Sequence, residues 1–186
     1  MIAAALVLVL GQGGFVTKGV ERGVEISWRA VPGSGFCELR FVAEADAGVE
    51  ALCARAFGDG RDSADEPYLV SRTLVSDSAD ERVTWDRIAP PMVSQRDYVV
   101  RRVRNRGAGV CRVDFEAFDD PGRPPPSDVV RLKALKGSFV FERQPSGVVR
   151  VEHRVHMDPG GWLSPVVVEG TRERMSLAWM KRVLGG

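Results

Sequence analysis

The sequence has few cysteines and histidines and almost no net charge. Its three cysteines, Cys37, Cys53 and Cys111, are widely spaced, and they form no C-x-x-C pair and no zinc-ligand pattern. No disulfide framework is indicated, so buried free thiols are expected, with a single bridge as the alternative. A net charge of +1 over 186 residues does not indicate a basic surface that would bind nucleic acid or an anionic membrane.

Motifs that carry catalysis or bind phosphate are also missing. There is no glycine-rich phosphate loop, no G-x-S-x-G turn and no H-E-x-x-H pair. His153 and His156 have opposite parity on a predicted strand, so they cannot share a metal ion from it. The sequence therefore predicts no metal ion, no cofactor and no catalytic residue.

The longest uncharged apolar run is the M-I-A-A-A-L-V-L-V-L of residues 1–10, which is too short to span a bilayer as a helix. It is typical of the core of a secretory signal, but it lacks a basic start and a clean cleavage site. Two alternatives stay open. Either residues 1–14 are a signal peptide and the protein is periplasmic or secreted, or they pack on the domain and the protein is cytoplasmic. Residues 15–186 fit one domain with a sizeable core.

Alternation of apolar and polar residues is clearest from Val148 to Met157. One face of this predicted strand is apolar apart from a histidine, and the other is charged and expected to face water. A turn at residues 158–161, D-P-G-G, ends the strand. Ser164-Pro165 then predicts the start of a helix that continues to Leu184. The members of the apolar face are Val149, Val151, His153, Val155 and Met157.

Further strands are predicted upstream, together with a short helix over residues 47–57 that Asp46 caps. Because the strands follow one another at hairpin spacing, they predict an antiparallel meander closed by the C-terminal helix, which is an α+β fold. The predicted strands cover residues 23–30, 36–45, 68–76, 82–88, 95–104, 109–118 and 129–143.

Five segments in this order resemble the START domain (steroidogenic acute regulatory protein-related lipid transfer). They are G-V-E-I-S-W-R-A-V-P-G-S-G at 23–35, M-V-S-Q-R-D-Y-V-V-R at 92–101, D-V-V-R at 128–131, L-K-G-S-F at 135–139 and D-P-G-G-W-L at 158–163. The resemblance covers residues 15–184. It implies a START/Bet v 1-like helix-grip fold, in which a curved antiparallel β-sheet wraps around a long C-terminal helix and encloses a hydrophobic cavity.

The resemblance also places an inward arginine at Arg102, which several family members pair with a carboxylate. Asp86 on the preceding strand is the candidate partner, because an isolated buried charge is very costly. Parity alone leaves Arg101 as the alternative to Arg102, and Tyr98 shares the parity of Arg102. The other predicted ligand-binding residues are Val113, Phe115, Val151, His153, Val155, Trp162 and Leu177.

Two of these residues have a second interpretation. His153 is either a ligand contact or a core histidine whose nitrogens are satisfied by the protein. Trp162 is either an apolar latch on the cavity or a core residue.

The resemblance implies a protein that carries, transfers or senses a lipid or another hydrophobic small molecule, and not an enzyme. The alternative is a helix-grip enzyme of the aromatase/cyclase type, with His153 or an acid as its proton carrier. A third interpretation is an interaction module with a solid core. Expected partners are the hydrophobic ligand and, transiently, a membrane. No nucleic acid is expected, and the protein is expected to be a monomer.

Overall fold

The computed structural model describes residues 10–11, 14–58, 66, 68–91, 93–163 and 165–185. This part of the chain forms eleven strands and two helices. In chain order they are β1 (Leu10–Gly11), β2 (Phe15–Glu21), β3 (Val24–Arg29), β4 (Glu38–Ala45), α1 (Val49–Phe57), β5 (Leu69–Asp77), β6 (Glu81–Ile88), β7 (Arg96–Gly107), β8 (Val110–Phe118), β9 (Val130–Arg131), β10 (Ala134–Arg143), β11 (Val149–Asp158) and α2 (Pro165–Leu184).

Ten strands form one antiparallel sheet in the order β1-β2-β3-β4-β11-β10-β8-β7-β6-β5. The predicted meander is confirmed in two parts, from β1 to β4 and from β5 to β11. The order of the strands is broken once, where β4 pairs with β11. After β4, helix α1 carries the chain across the sheet to β5 at its far end, so β11 can return and pair with β4. The short strand β9 lies off this path and runs parallel to the start of β7.

Both helices lie on the same face of the curved sheet. Residues of β11 that face them, including Val149, Val151 and Val155, are buried, as the alternation predicts. Helix α1 packs on β8 and β10, and α2 packs on β4 and β11. The helix-grip fold is therefore confirmed. Neither helix in the described residues is long and apolar enough to cross a membrane.

Several local predictions were wrong. Strand β2 was missed because Phe15 is its one fully buried side chain, so apolar periodicity is weak. Asp46 does not cap α1, whose N-cap residue is Gly48 with no side-chain cap bond. The strand predicted over residues 129–143 is two strands, β9 and β10, which pair with different parts of the sheet.

The signal-peptide prediction for residues 1–14 falls largely outside the described residues. Within that segment, Leu10–Gly11 pairs with β2 as a short strand, and Gly14 forms a turn.

The outer face of β11 is less open to water than predicted. Glu152 is buried because arginines from two strands surround its carboxylate: Arg40 donates to it at 3.0 Å, and Arg150 and Arg154 donate at 2.6 Å. Burial opposes this charge, but the three guanidinium groups still lower the pKa of Glu152.

His156, on the same face, is covered by the loop between β3 and β4. Its Nε2 lies 3.0 Å from the hydroxyl of Ser34.

The expectation of free thiols was wrong for two of the three cysteines. Cys53 on α1 and Cys111 on β8 form a disulfide, with a Cα–Cα distance of 6.1 Å. Their separation of 58 residues gives no sign of this pairing, because it depends on how α1 crosses the inner face of the sheet. Cys37, at the start of β4, is the free cysteine.

Candidate functional site

A cavity of about 80 Å³ lies between α2 and the inner face of strands β7, β8, β10 and β11. Its wall is mostly apolar, with a group of charged residues near the C-terminal end of α2. The lining residues are Glu66, Arg72, Tyr98, Val100, Arg102, Phe115, Leu135, Val155, Met157, Arg172, Met175, Ser176, Ala178, Trp179 and Arg182.

A second recess, of about 30 Å³, continues toward the start of α2. It shares Met157, Arg172 and Met175 with the first cavity, so the two lie next to each other. Sites for drug-sized molecules typically measure about 300–1,000 Å³. The cavity in its present conformation is smaller than this range. A lipid therefore fits only after α2 or the wall side chains move.

Arg102 points into the cavity and is 8% exposed, whereas the side chain of Arg101 is 54% exposed on the other face. Arg102 Nη2 lies 3.7 Å from Asp86 Oδ2, and Nη1 donates to the hydroxyl of Thr84 at 2.9 Å. The predicted pairing of Arg102 with a carboxylate is thus confirmed, and Asp86 is the partner. The role of Arg102 toward a ligand stays a prediction.

Sequence analysis missed the stronger partner of Asp86. Arg72 on β5 donates to both oxygens of Asp86, at 2.9 and 2.7 Å, and to both oxygens of Glu66 at 2.8 Å. Arg182 near the end of α2 lies 2.6 Å from Glu66. We call Arg102, Asp86, Arg72, Glu66 and Arg182 the charge chain. It runs from β7 to α2, and four of its five members, all except Asp86, line the cavity.

The charge chain holds three arginines and two carboxylates, so it carries one surplus positive charge. Burial works against the charge of Glu66, but hydrogen bonds and charges from Arg72 and Arg182 lower its pKa to about 2. Burial also lowers the pKa of Arg102, since Asp86 offsets it only in part. Arg102 is thus the least well compensated member of the charge chain.

Tyr98 lies beside the charge chain and lines the cavity, as predicted for a ligand contact. Burial raises the pKa of its hydroxyl, so the group is protonated and can donate a hydrogen bond. Phe115 and Val155 also line the cavity. Tyr98, Phe115, Val155 and Arg102 are therefore the predicted residues that the fold brings together around one space.

Other predicted site residues lie behind this wall. Val113, Val151 and His153 are fully or almost fully buried in the core, and Leu177 packs against the core from α2. None of these four is among the side chains that line the cavity. Strand parity placed them on the correct face, but it could not show how far along the sheet the cavity extends.

His153 lies at the centre of an aromatic cluster. Its ring stacks on Phe139 with centroids 4.1 Å apart, and Trp179 of α2 meets it edge to face at 5.2 Å. His153 Nδ1 lies 3.2 Å from the carbonyl oxygen of Ser138 and must donate to it, because a carbonyl can only accept. Burial lowers the pKa of His153 to about 3, so the ring is neutral at pH 7.

The core interpretation of His153 holds for only one of its nitrogens. His153 Nε2 is buried without a hydrogen-bond partner among the described residues, and the same is true of Trp179 Nε1.

Trp162 is 98% exposed, so its interpretation as a core residue was wrong. It follows a tight turn in which Gly160 and Gly161 adopt φ values of 67° and 69°, and Asp158 accepts a hydrogen bond from the Gly160 amide at 3.0 Å. The next residue, Leu163, lines the second recess. Trp162 therefore lies at the rim of the space but does not close it.

Arg172 is a further residue that sequence analysis missed. It lies on the buried side of α2 and pairs with Glu169 of the same helix at 2.8 Å. It also donates to the carbonyl of Cys37 at 2.8 Å, and so ties α2 to the residue that precedes β4. Its position in phase with the buried Val168 and Ser176 could have revealed it, but a charged residue breaks the apolar pattern.

A larger recess, of about 670 Å³, lies on the outer face of the sheet. Charged side chains such as Arg101, Asp114 and Glu116 line it, which does not suit a hydrophobic molecule. Within the described ranges no group of three or more histidine, cysteine or acidic residues could hold a metal ion. The inner cavity is therefore the candidate site.

Comparison with known sequences identifies one family. The sequence profile of the START domain matches residues 75–183, which is more than half of the chain. A comparison with curated proteins finds no match.

Solved structures with the same fold include lipid transfer proteins and an aromatase/cyclase. A STAR-related lipid transfer protein from Xanthomonas axonopodis is 20% identical with a TM-score of 0.79, covering 91% of this chain and 96% of that one. Human StAR-related lipid transfer protein 5 is 17% identical with a TM-score of 0.80, covering 94% and 86%. The Zhui aromatase/cyclase from Streptomyces is 12% identical with a TM-score of 0.58, covering 80% and 91%. These likenesses concern the fold alone.

Proposed function

Because the chain belongs to the START domain family, we propose that it binds a lipid or another hydrophobic small molecule between the sheet and α2. In this proposal it acts as a carrier, transfer or sensor protein and not as an enzyme. The observation that carries the proposal is the position of Arg102, a buried and incompletely compensated cation on the wall of an otherwise apolar cavity. Apolar walls with a few polar groups are typical of sites that bind and orient amphipathic ligands.

The chemistry of the wall suggests how such a ligand would lie. Its polar group would face Arg102 and the Tyr98 hydroxyl, and a hydrogen-bond acceptor of the ligand would accept hydrogen bonds from both. Its apolar body would lie against Phe115, Met157 and Met175. The two methionines suit this role because flexible thioether side chains can repack around ligands of different shape.

We propose that residues 15–186 form the binding domain, because every lining residue of the cavity falls within that range. We also propose that the monomer acts alone and touches membranes transiently. Trp162 supports the membrane contact, since an exposed indole at the rim of the cavity is suited to a membrane–water interface.

Purification under native conditions followed by native mass spectrometry and solvent extraction tests the proposed function. The expected result is one co-purified hydrophobic molecule per chain, released on denaturation. If the protein has only its bare mass and takes up no hydrophobic probe from vesicles, the proposal is wrong and the cavity is core.

One observation favours a second candidate function. His153 Nε2 has no partner among the described residues, so His153 could act as a general base once a bound substrate raises its pKa from about 3 toward the working pH. The fold is also shared with an aromatase/cyclase. Cyclisation of a hydrophobic substrate that disappears in His153→Ala, while binding persists, would favour this enzyme over a carrier.

A further inference from the structure

Two neighbouring side chains at the buried side of the cavity have unused hydrogen-bonding atoms. His153 Nε2 and Trp179 Nε1 are both buried and have no partner among the described residues. The centroids of the two rings are 5.2 Å apart, so the two nitrogen atoms lie in the same region of the interior. An unsatisfied polar atom in a protein interior costs free energy, and two of them side by side call for an explanation.

The two atoms have opposite and fixed hydrogen-bonding roles. The indole Nε1–H of Trp179 can only donate. His153 Nδ1 donates to the carbonyl of Ser138, so Nε2 of the neutral ring carries a lone pair and can only accept. A group that matches this pair must accept from Trp179 and donate to His153. A hydroxyl does both, whereas an ether, an ester or an ionised carboxylate only accepts.

We propose that the cavity recognises a hydroxyl group of its hydrophobic ligand, which donates to His153 Nε2 and accepts from Trp179 Nε1. This inference rests on the proposed function and narrows its ligand class to hydrophobic alcohols, whose hydroxyl at His153 and Trp179 is distinct from any polar group that faces Arg102. The site is separate from Arg102, because β8 and β10 lie between their strands. At a strand spacing of about 4.8 Å, His153 and Arg102 are roughly 14 Å apart across the sheet.

Access to this site follows from the small size of the closed cavity. A ligand fits only after α2 or the wall side chains move, since the space now measures about 80 Å³. We take movement of α2 as the route to this site. Trp179 lies on α2 and covers His153, whereas His153 lies on the sheet. The movement that admits a ligand therefore also separates the two rings and opens a place for the hydroxyl between them.

Binding of three matched pyrene probes tests the inference: 1-pyrenebutanol, its methyl ether and 1-pyrenebutanoic acid. Wild-type protein should bind the alcohol about threefold to tenfold more tightly than the ether, as expected for the net gain of a buried hydrogen bond. His153→Phe, which keeps a flat ring against Phe139, should abolish this preference, and Trp179→Phe should reduce it. His156→Phe on the opposite face and Trp162→Phe at the surface are the matched controls and should retain it.

Arg102→Met tests whether the preference arises at Arg102 instead. It should retain the ratio between the affinities for the alcohol and the ether, even where it weakens the binding of both. Equal affinity of wild-type protein for the alcohol and the ether would overturn the inference and leave only water at this position. A preference that disappears in Arg102→Met but survives in His153→Phe would overturn it as well. In both cases the proposed function stands, whereas failure to bind any of the three probes would contradict the proposed function itself.

Discussion

Both carboxylate oxygens of Asp86 accept hydrogen bonds from the guanidinium of Arg72, at 2.9 and 2.7 Å. Asp86 is fully buried, so this pairing provides most of the compensation for its charge. Arg102, at 3.7 Å, is left with a weaker ion pair and a hydrogen bond to Thr84. Arg72 therefore has mainly a structural role, whereas we propose that Arg102 contacts the ligand.

Replacement of the two arginines should therefore have very different effects on stability. Arg72→Leu leaves the buried Asp86 without its main partner, and we expect the free energy of unfolding to fall by about 3–5 kcal/mol. Arg102→Leu removes a poorly compensated cation while Asp86 keeps Arg72. We expect it to cost less than about 1 kcal/mol but to weaken ligand binding. Urea unfolding and probe titration measure the two effects, and equal losses of stability would show that the pairing is shared evenly.

Gly137 on β10 is required by the position of Phe115. A Cβ at residue 137 would meet the Phe115 ring, with Cζ at 2.5 Å, and the backbone oxygen of Arg154. We expect Gly137→Ala to destabilise the protein by about 1–3 kcal/mol, as overpacking of a core does, and to move Phe115 on the cavity wall.

Gly170→Ala is the matched control for this glycine. Gly170 lies in α2 with open space around its Cα, so alanine should raise the free energy of unfolding by about 0.5–1 kcal/mol through helix propensity. Thermal unfolding of both variants checks the opposite signs. A neutral Gly137→Ala would mean that Phe115 can move without cost.

His153 should make stability depend on pH in mildly acidic solution. Burial lowers its pKa from 6.5 to about 3 on folding. Between these values the unfolded chain binds more protons than the folded one, so the free energy of unfolding falls as the pH falls, by up to about 1.4 kcal/mol per pH unit. His153→Phe should flatten this dependence between pH 6.5 and 4.5, whereas Glu66, with its pKa lowered to about 2, acts below that window. Identical slopes for the two proteins would mean that His153 can take up a proton in the folded state.

The strand pattern made much of this fold predictable, because burial of one face dictates alternation. Val149, Val151 and Val155 on β11 identified the inner face. Strand parity left Arg101 and Arg102 as alternatives, and the resemblance to the START domain favoured Arg102, which lines the cavity together with Tyr98. The pairing of Arg72 with Asp86 and Glu66 was not predictable, since it joins a loop residue and two strands through side chains that show no periodicity.

The burial of Trp162 could not be predicted from the sequence. An aromatic residue that follows a tight turn is often part of the core. Whether it is buried depends on the direction of the chain after the turn, and the local sequence does not encode that direction. The extent of the cavity was likewise unpredictable, because it depends on how closely α2 approaches the sheet.

Because Trp162 is 98% exposed, Trp162→Ala should change the free energy of unfolding by less than about 0.5 kcal/mol. It should nevertheless weaken binding to phosphatidylcholine vesicles, since an indole ring favours the membrane interface. Flotation of protein with vesicles measures this effect. Trp28→Ala, which removes a 40% exposed indole from β3, is the control and should leave vesicle binding unchanged. If Trp162→Ala binds vesicles like the wild type, the turn is not the membrane contact.

The ion pair between Arg182 and Glu66 should control how fast a ligand leaves. It connects the C-terminal end of α2 to the charge chain, so α2 cannot move away from the sheet at this end without breaking it. An ion pair that is partly shielded from water contributes up to about 1 kcal/mol. We therefore expect Arg182→Ala and Glu66→Gln to release 1-pyrenebutanol about threefold to fivefold faster than the wild type, measured by stopped-flow transfer to empty vesicles.

Lys181→Ala is the matched control, because it removes the same charge from an exposed neighbouring position on α2 and should not change the rate. Salt gives an independent check, since added salt screens an ion pair near the surface. Release from the wild type should become faster as salt is added, whereas release from Arg182→Ala should respond less. If Arg182→Ala releases the probe at the wild-type rate, the ligand leaves without movement of this end of α2, and the other end, next to the turn at residues 158–161, is the gate.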